Sequence, residues 1–224
     1  MTTPPRAARS FEANDLAEIK FPDSGAAVSF RLLQDAVVPR PVYLISTISK
    51  TGVNNVAPYS YISPAATTPT SFVMSILRRD DGSEKDTIIN LRASGEVVIN
   101  AVTEPIVHAA NACAENLPPD KSEFEFAGLT PAFLTFRTPH VAQSPLRFEC
   151  RLEAEIPFGS DGPGATSLLI VSVTRTYVAK TVYRGNGQLD IVALRLIGRS
   201  SVDQYLVADG QFTIARPNTG EAVV

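Results

Sequence analysis

The segment from Pro39 to Ser63 restricts the fold of this chain more than any other part of the sequence. It begins with Pro-Arg-Pro, which cannot lie inside a helix, because proline fixes φ and lacks a backbone N–H. The apolar, β-branched run Val42–Ser49 that follows predicts a buried strand. Lys50-Thr51-Gly52 then predicts a turn. We therefore expect two strands joined by a tight connection.

A proline interrupts the second of these strands. The segment reads Asn55-Val56-Ala57-Pro58-Tyr59-Ser60-Tyr61, and a proline in a β-like run marks an edge, a bulge or a break because it cannot donate to a ladder. Such a break leaves neighbouring backbone N–H groups unpaired and able to bind a ligand. The same residues are compatible with an ordinary hairpin whose second strand is irregular, so the pattern by itself leaves both interpretations open.

The charge balance excludes several classes of partner. The 224 residues include 20 Lys and Arg against 23 Asp and Glu, with a net charge of −3, which argues against a nucleic acid or an anionic membrane. No apolar run approaches the ~18–20 residues of a membrane span. The N-terminal sequence lacks the apolar core of a signal peptide, so we expect a cytoplasmic protein. The charged fraction of 19% is below the usual value of about 25%, which is compatible with additional surface that oligomerisation buries.

The cysteines and histidines predict no metal site. Cys113 and Cys150 are far apart and lack metal-ligand spacing, so we expect free, buried thiols. His108 and His140 have no further ligand-type residues beside them in a metal-binding pattern.

The remaining pattern predicts a mainly β fold. A short helix is expected over Thr87–Ser94, with Asp86 as its N-cap and Gly95 just past its end. Arg147–Ile156 alternates between apolar and charged residues, which predicts a half-exposed antiparallel strand with Glu149 on the polar face. No repeated βαβ rhythm is present. These features favour a closed antiparallel barrel over a parallel sheet.

Several short motifs, in this order and at this spacing, resemble the flavin reductase-like, FMN-binding split-barrel family. Asn55–Ser60 resembles that family's N-x-A-P-[YF]-S signature, and Lys85-Asp86-Thr87 corresponds to its K-D-T. The resemblance spans roughly residues 30 to 216 and is supported by the following further pieces: Arg40-Pro41, Ser46-Thr47, Gly95–Asn100, Ser144-Pro145 and Phe148–Cys150. It implies a Greek-key, antiparallel split β-barrel with a few short helices. We expect residues 28–217 to form the barrel, residues 1–27 an N-terminal arm and residues 218–224 a tail.

The resemblance also implies an FMN site. The positions that it assigns to the cofactor are Ser46, Thr47, Asn55, Ala57, Pro58, Tyr59, Ser60, Tyr61, Lys85, Asp86 and Thr87. Their chemistry suits the ligand, since a phosphate needs N–H groups, hydroxyls and a cation, and the flat ring needs an apolar slot. Asp86 would repel a phosphate if it pointed inward, so we expect it to cap the helix.

The implied activity is NAD(P)H-dependent reduction of flavin by a homodimer, with NADH or NADPH as electron donor and a flavin-dependent monooxygenase as a partner that takes up reduced FMN. Two alternatives stay open: a flavoprotein that keeps FMN bound and acts on a specific small molecule, and a non-enzymatic flavin-binding or electron-carrier protein. No G-x-G-x-x-G follows a strand, and no G-x-S-x-G elbow is present. Hydride passes directly between nicotinamide and flavin, so no acid–base catalytic residue is predicted.

Overall fold

The computed structural model of the chain describes residues 10–21 and 26–214. Residues 1–9 and 22–25 of the predicted arm and the whole predicted tail lie outside the described residues, and the division into arm, barrel and tail stays a prediction. The helices are α1 (Ala26–Ala36), α2 (Asp86–Ser94), α3 (Val107–Ala112), α4 (Glu123–Phe126) and α5 (Ile191–Leu194), with 3₁₀ turns at Ala13–Asp15 and Glu104–Ile106. The strands are β1 (Arg40–Pro41), β2 (Tyr43–Ile48), β3 (Asn54–Tyr59), β4 (Ile62–Thr67), β5 (Thr70–Leu77), β6 (Glu96–Ala101), β7 (Pro131–Ala132), β8 (His140–Val141), β9 (Leu146–Phe158), β10 (Thr166–Val178), β11 (Tyr183–Gly185), β12 (Gln188–Leu189), β13 (Ile197–Arg199) and β14 (Tyr205–Val207).

One large antiparallel sheet forms the body of the protein. Its seven strands lie in the order β3-β2-β6-β9-β10-β5-β4, so its two outermost strands are consecutive in the chain. Only Ser60 and Tyr61 connect them, and two extended residues span at most ~7 Å. The sheet must therefore curl until β3 and β4 approach each other. The result is a barrel that is split between these strands, as the sequence predicted.

Pro58 lies in β3 at the edge of this sheet. It is opposite Leu44 of β2, the only neighbouring strand of β3 in the sheet. An edge position tolerates a residue without an N–H. The edge interpretation of the proline is therefore confirmed.

The interior consists of two apolar clusters, and the barrel sheet contributes to both. One cluster combines Leu44 and Val56 with Phe124 of α4 and Ile197 of β13. The other is built from β5, β6, β9 and β10 together with Ile88 and Leu91 of α2. Helix α2 therefore packs its apolar face into the barrel, which fixes the position of its N-terminus.

Helix α2 begins one residue earlier than predicted, at the residue that was expected to cap it. Lys85 is the N-cap, and Asp86 is the first helical residue. The prediction of Asp86 as N-cap is wrong, because its carboxylate is held by Arg79 instead, at 2.6 Å from Nη2. Gly95 ends the helix at φ 68°, a left-handed conformation that glycine adopts without steric cost.

A second, three-stranded sheet joins the two ends of the described core. Its order is β1-β13-β14, so the Pro-Arg-Pro entry pairs with a strand more than 150 residues later. Gly198 is required here, because a Cβ at this position would lie 2.5 Å from Cβ of Pro39. The sequence pattern favours a final edge strand at residues 211–216, but the described residues 211–214 of this stretch have no regular structure.

Two further expectations are tested by burial. Glu149 was expected on the solvent face of its strand but is fully buried, because the segment before β8 covers this part of β9.

Both cysteines are free and buried, as predicted, and burial raises the pKa of each thiol to about 12. Within residues 10–21 and 26–214, no helix is long and apolar enough to cross a membrane.

Candidate functional site

A hydrogen-bonded network joins β2, β3 and α2 at the predicted site. Asn55 Nδ2 donates to Thr47 Oγ1 at 3.1 Å and to Thr87 Oγ1 at 3.3 Å. The Tyr59 hydroxyl donates to Thr87 Oγ1 at 3.0 Å, and Asn90 Nδ2 donates to Thr47 Oγ1 at 3.2 Å. Four residues of the predicted set are thus in direct contact, although α2 is some 30 residues away from β3 in the chain.

The network leaves protons available to a ligand. Thr87 Oγ1 accepts two hydrogen bonds, and a hydroxyl retains one proton of its own to donate. Burial raises the pKa of Tyr59 to about 12, so this phenol stays protonated and remains a donor near neutral pH. Thr87 is therefore held as a donor at the start of α2.

Lys85 supplies a positive charge beside this network. It is half-buried, and its Nζ lies 5.9 Å from the centre of the Tyr59 ring. No carboxylate of the described residues lies within ion-pair distance of Lys85, although twelve ion pairs, one of them with a histidine, form elsewhere in the described part of the chain. Burial, and secondly the nearby Arg79, lower the pKa of Lys85. An anion bound next to Lys85 would stabilise its charged form and so offset the effects of burial and of Arg79 on its pKa.

The first amides of α2 face the same place. The earliest backbone bond of this helix runs from Ile88 N to Lys85 O, so the N–H groups of Asp86 and Thr87 precede the helical ladder. Free N–H groups at a helix N-terminus and the helix dipole both favour an anion. Together with the unpaired Lys85 they form an arrangement that suits a phosphate.

A cavity of about 70 Å³ adjoins these groups. Seven residues of the predicted set line it: Asn55, Ala57, Pro58, Tyr59, Lys85, Asp86 and Thr87. A wider cleft of about 510 Å³ shares the lining residues Asn55, Asp86 and Glu123 with this cavity. The predicted residues of β3 and of the α2 N-terminus are therefore brought together around one small cavity.

The four remaining predicted residues do not line this cavity. Ser46 is fully buried, and its hydroxyl donates to Pro139 O at 2.5 Å while Asn100 Nδ2 donates to it at 3.1 Å, so it is engaged in the core. Thr47 is also fully buried and contacts the site through Asn55 and Asn90. Ser60 and Tyr61 line a separate cavity of about 200 Å³ next to the first.

Two charged residues at the site were missed by sequence reasoning. Arg79 pairs with Asp86 and so neutralises the carboxylate that would otherwise repel a phosphate. Glu123 of α4 accepts the backbone N–H of Val56 through Oε2 at 3.1 Å and lines both the small cavity and the wider cleft. Desolvation is the main reason that the pKa of Glu123 is raised. No local pattern could have revealed either contact, although Arg79 precedes the Lys-Asp-Thr motif by only six residues.

The contact with Glu123 also bears on the expectation of free N–H groups beside the proline. Backbone N–H groups alternate in direction along a strand, so the N–H of Val56 points to the same side of β3 as the nitrogen of Pro58. Glu123 accepts the N–H of Val56, and Pro58 has none, so neither of these two residues offers a free amide to a ligand.

The histidines take no part in the site. His108 is exposed on α3. His140 is fully buried and contacts Glu149 through Nε2 at 3.1 Å. No group of three or more His, Cys, Asp or Glu side chains within the described part of the chain is arranged to hold a metal ion.

Comparison with known proteins gives consistent matches. A family model described as "Flavin reductase like domain" matches residues 35–193. An uncharacterised protein of Halalkalibacterium halodurans is 37% identical over 196 residues, which is 86% of this chain and 93% of that protein. The uncharacterised protein YwrF of Bacillus subtilis is 31% identical over 85% of this chain and 94% of its own length.

Solved structures show the same fold. Nitrilotriacetate monooxygenase component B from Bacillus cereus is 35% identical with a TM-score of 0.79, over 94% of this chain and 100% of that one. The 2-nitrobenzoate 2-nitroreductase NbaA of Pseudomonas fluorescens reaches a TM-score of 0.82 at 21% identity, over 92% and 99% of the two chains, and supports the fold alone.

Proposed function

Since this chain belongs to the flavin reductase-like domain family, we propose that it is an oxidoreductase that binds FMN and reduces it with NADH or NADPH. The observation that carries the proposal is the half-buried, unpaired Lys85 beside the free amides and the Thr87 hydroxyl at the N-terminus of α2. A cation, hydroxyls and helix amides are the groups that a flavin phosphate requires.

The residues of the site fit FMN as follows. Lys85 and the amides of Asp86 and Thr87 would hold the phosphate, while Asn55 and Tyr59 keep the Thr87 hydroxyl in place. Bound FMN would supply the two-electron chemistry, by taking a hydride from nicotinamide. Arg79 keeps the Asp86 carboxylate engaged, so the negative charge nearest to the helix start does not oppose phosphate binding.

The supply of reduced FMN to a partner monooxygenase is part of this proposal. It is supported by the 35% identity to a protein described as a component B of a monooxygenase. In the first alternative, FMN stays bound and a specific small molecule is the substrate. In the second, the protein only binds flavin or carries electrons.

We also propose a cytoplasmic homodimer. The support is the low charged fraction of 19% together with large apolar side chains that protrude at the end of β9, where Ile156 is 50% and Phe158 69% exposed. The free, buried cysteines are compatible with a reducing compartment.

Flavin titration tests the function. The purified protein is stripped of flavin and titrated with FMN and with FAD, and NADH or NADPH oxidation is then followed with free FMN in excess. We expect FMN to bind and to be turned over as a substrate. Binding of FAD without any binding of FMN would refute the cofactor assignment. Retention of one FMN without turnover of free FMN supports the first alternative, and absence of any NAD(P)H oxidation with added acceptors supports the second.

A further inference from the structure

A fully buried pair of ionisable side chains, Glu149 of β9 and His140 of β8, lies outside the proposed FMN site. His140 Nε2 lies 3.1 Å from Glu149 Oε1, and neither side chain is exposed to solvent. The same carboxylate oxygen accepts the backbone N–H groups of Thr135 at 3.1 Å and of Phe136 at 3.0 Å. One carboxylate thus fastens residues 135–141, here called the strap, to the barrel.

The geometry determines which nitrogen of neutral His140 carries the proton. Glu149 Oε1 already accepts two N–H groups and so faces the imidazole as an acceptor, which places the proton on Nε2. His140 Nδ1 and Glu149 Oε2 are both buried and have no hydrogen-bond partner among the described residues. Glu149 Oε2 lies 3.7 Å from Nη1 of Arg175. A second proton on the ring would therefore reside on Nδ1, where no acceptor of the described chain stabilises it.

The surroundings of the pair are mostly positive. Charged or titratable residues on the elements around it are Arg147 and Arg151 of β9, Arg175 and Tyr177 of β10, and Arg137 of the strap. The Tyr177 ring packs edge-on against His140 with a centroid distance of 5.3 Å, and its hydroxyl is hydrogen-bonded to Thr135 Oγ1 at 2.8 Å. Burial lowers the pKa of His140, Glu149 opposes this effect, and Arg147 adds to it. A proton on His140 is thus unfavourable while the strap is in place.

The two chain neighbours of His140 bind the strands of the barrel. Pro139 O accepts the hydroxyl of Ser46 at 2.5 Å, and Val141 N donates to Asn100 Oδ1 at 2.9 Å. Asn100 Nδ2 in turn donates to Ser46 Oγ at 3.1 Å. The strap therefore helps to set the position of Ser46, and with it this part of β2.

The next residue of β2, Thr47, belongs to the network of the proposed FMN site. Its hydroxyl oxygen accepts hydrogen bonds from Asn55 at 3.1 Å and from Asn90 at 3.2 Å, and Asn55 also donates to Thr87. Ser46 and Thr47 are both fully buried, and closely packed interiors transmit small displacements. Hydrogen bonds and one covalent step thus connect the buried pair with the site.

We propose that His140 and Glu149 form a proton-sensitive positioning pair for the FMN site. With His140 neutral, the strap is held and Thr47 keeps Asn55 and Asn90 in place; a proton on His140 releases the strap, displaces Ser46 and weakens FMN binding. The choice of FMN as the affected ligand rests on the proposed function. Neither His140 nor Glu149 lines the cavity beside Thr87, so both act through Ser46.

The sign of the pH dependence follows from the environment of His140. Burial holds its folded-state pKa below the ordinary value of 6.5. The stabilising contribution of the neutral ring is therefore complete above that value and is lost as the pH falls through the folded-state pKa. Acidification should release the strap.

Fluorescence titration of FMN between about pH 5 and pH 8 tests the proposal in the wild type, His140→Gln and His108→Gln. The chain has two histidines, and His108 is exposed on α3, so His108→Gln is the matched control and should follow the wild type. A phosphate loses part of its charge near about pH 6 in every variant, so the readout is the difference between variants. His140→Gln keeps a donor for Glu149 but cannot be protonated. The wild type should lose about tenfold more affinity than His140→Gln in acid, the effect of a one-unit pKa difference between the two arrangements.

NMR of the same proteins gives a readout that a merely structural role would not move. The wild-type spectrum should show the Nε2–H tautomer of His140. The side-chain amide signals of Asn55 and Asn90 should shift with the same midpoint as the His140 ring in the wild type, and should stay in place in His140→Gln.

The proposal is overturned if these amide signals do not follow the His140 titration, or if His140→Gln keeps the pH dependence of the wild type. The NMR titration of the wild type alone decides the matter if His140→Gln does not fold, and the melting temperature of each variant is measured alongside. A protein that binds no FMN would refute the proposed function, whereas the amide signals of the flavin-free protein would still decide whether His140 is coupled to Asn55 and Asn90.

Discussion

The Tyr59 hydroxyl donates a hydrogen bond to Thr87 Oγ1 at 3.0 Å, and this contact ties the edge of β3 to the first turn of α2. It connects the two motifs of the sequence that carry the resemblance to the flavin reductase-like family. Because Thr87 Oγ1 also accepts from Asn55, both of its contacts in the network use it as an acceptor, and its own proton remains available to a ligand.

Tyr59→Phe tests this contact. Removing the hydroxyl leaves Thr87 with one donor fewer, and we expect a loss of about 1 kcal/mol in the free energy of unfolding together with weaker FMN binding. Urea denaturation and flavin titration measure the two effects. Tyr43→Phe is the control, because the Tyr43 hydroxyl has no hydrogen-bond partner among the described residues, and it should change neither quantity. Equal effects of both substitutions would contradict the role of the Tyr59 hydroxyl.

Lys85→Ala should weaken FMN far more than riboflavin. The loss of a charge-assisted phosphate contact costs on the order of 1.5–3 kcal/mol, which is about ten- to hundredfold in affinity, whereas riboflavin has no phosphate. Flavin fluorescence titration measures both ligands, with Lys180→Ala at an exposed position as control. If both flavins lose affinity equally, Lys85 is structural or contacts the ring.

Arg79 and Asp86 form a pair that should show coupled effects on FMN. Arg79→Gln frees the Asp86 carboxylate at the helix start and should lower FMN affinity. Asp86→Asn alone should leave FMN affinity equal or higher. In the double variant, position 86 carries an uncharged amide, so most of the FMN affinity that Arg79→Gln alone loses should be restored. A double-mutant cycle isolates this coupling; strictly additive effects would show that Arg79 acts on FMN directly.

Glu123 should make stability depend on pH. Its neighbours are Asp86, which raises its pKa further, and Arg79, which opposes the rise, while burial is the main cause. Because the folded-state pKa lies above the ordinary value of 4.5, its stabilising contribution is complete below that value and is lost as the pH rises through the folded-state pKa. Glu123→Gln removes this loss and still offers an oxygen to Val56 N.

We therefore expect Glu123→Gln to gain stability relative to the wild type as the pH is raised, and to show no such gain near pH 4. Urea denaturation across this range measures the difference. Glu125→Gln on the same helix, at an exposed position, should show no trend with pH. A constant difference at all pH values for Glu123→Gln would contradict the raised pKa.

Dilution tests the proposed dimer. If a second subunit completes the flavin site, FMN should dissociate together with the subunits. Excess FMN should shift the midpoint of dimer dissociation to a lower protein concentration, because a ligand that binds only the dimer stabilises it. An obligate pair should bury about 2,000 Å² or more. Sedimentation monitored at the flavin absorbance follows both events. A stable monomer that retains stoichiometric FMN would reject the shared site and leave the FMN assignment standing.

The sequence by itself determined the strands, the short helix α2 and the family. Val42–Ser49 was recognisable because a buried strand is a local pattern of apolar, β-branched residues, and Arg147–Ile156 because its apolar and charged residues alternate. Gly95 marked a helix end through its own backbone freedom. The Asn55–Ser60 and Lys85–Thr87 motifs identified the family by their residue types and order.

Only the tertiary structure decided which side chains face the site. Alternation along a strand predicts two faces but not what covers each of them. Glu149 was therefore placed on a solvent face that the segment before β8 buries, and Ser46 was assigned to the cofactor although its hydroxyl bonds Pro139 O in the core. Glu123 reaches the site from an element far away in the chain, and such a contact depends on how the barrel closes. A local sequence pattern determines which side chains share one face of a strand or helix. Whether that face is buried, and which charges it meets, depends on the distant element that packs against it.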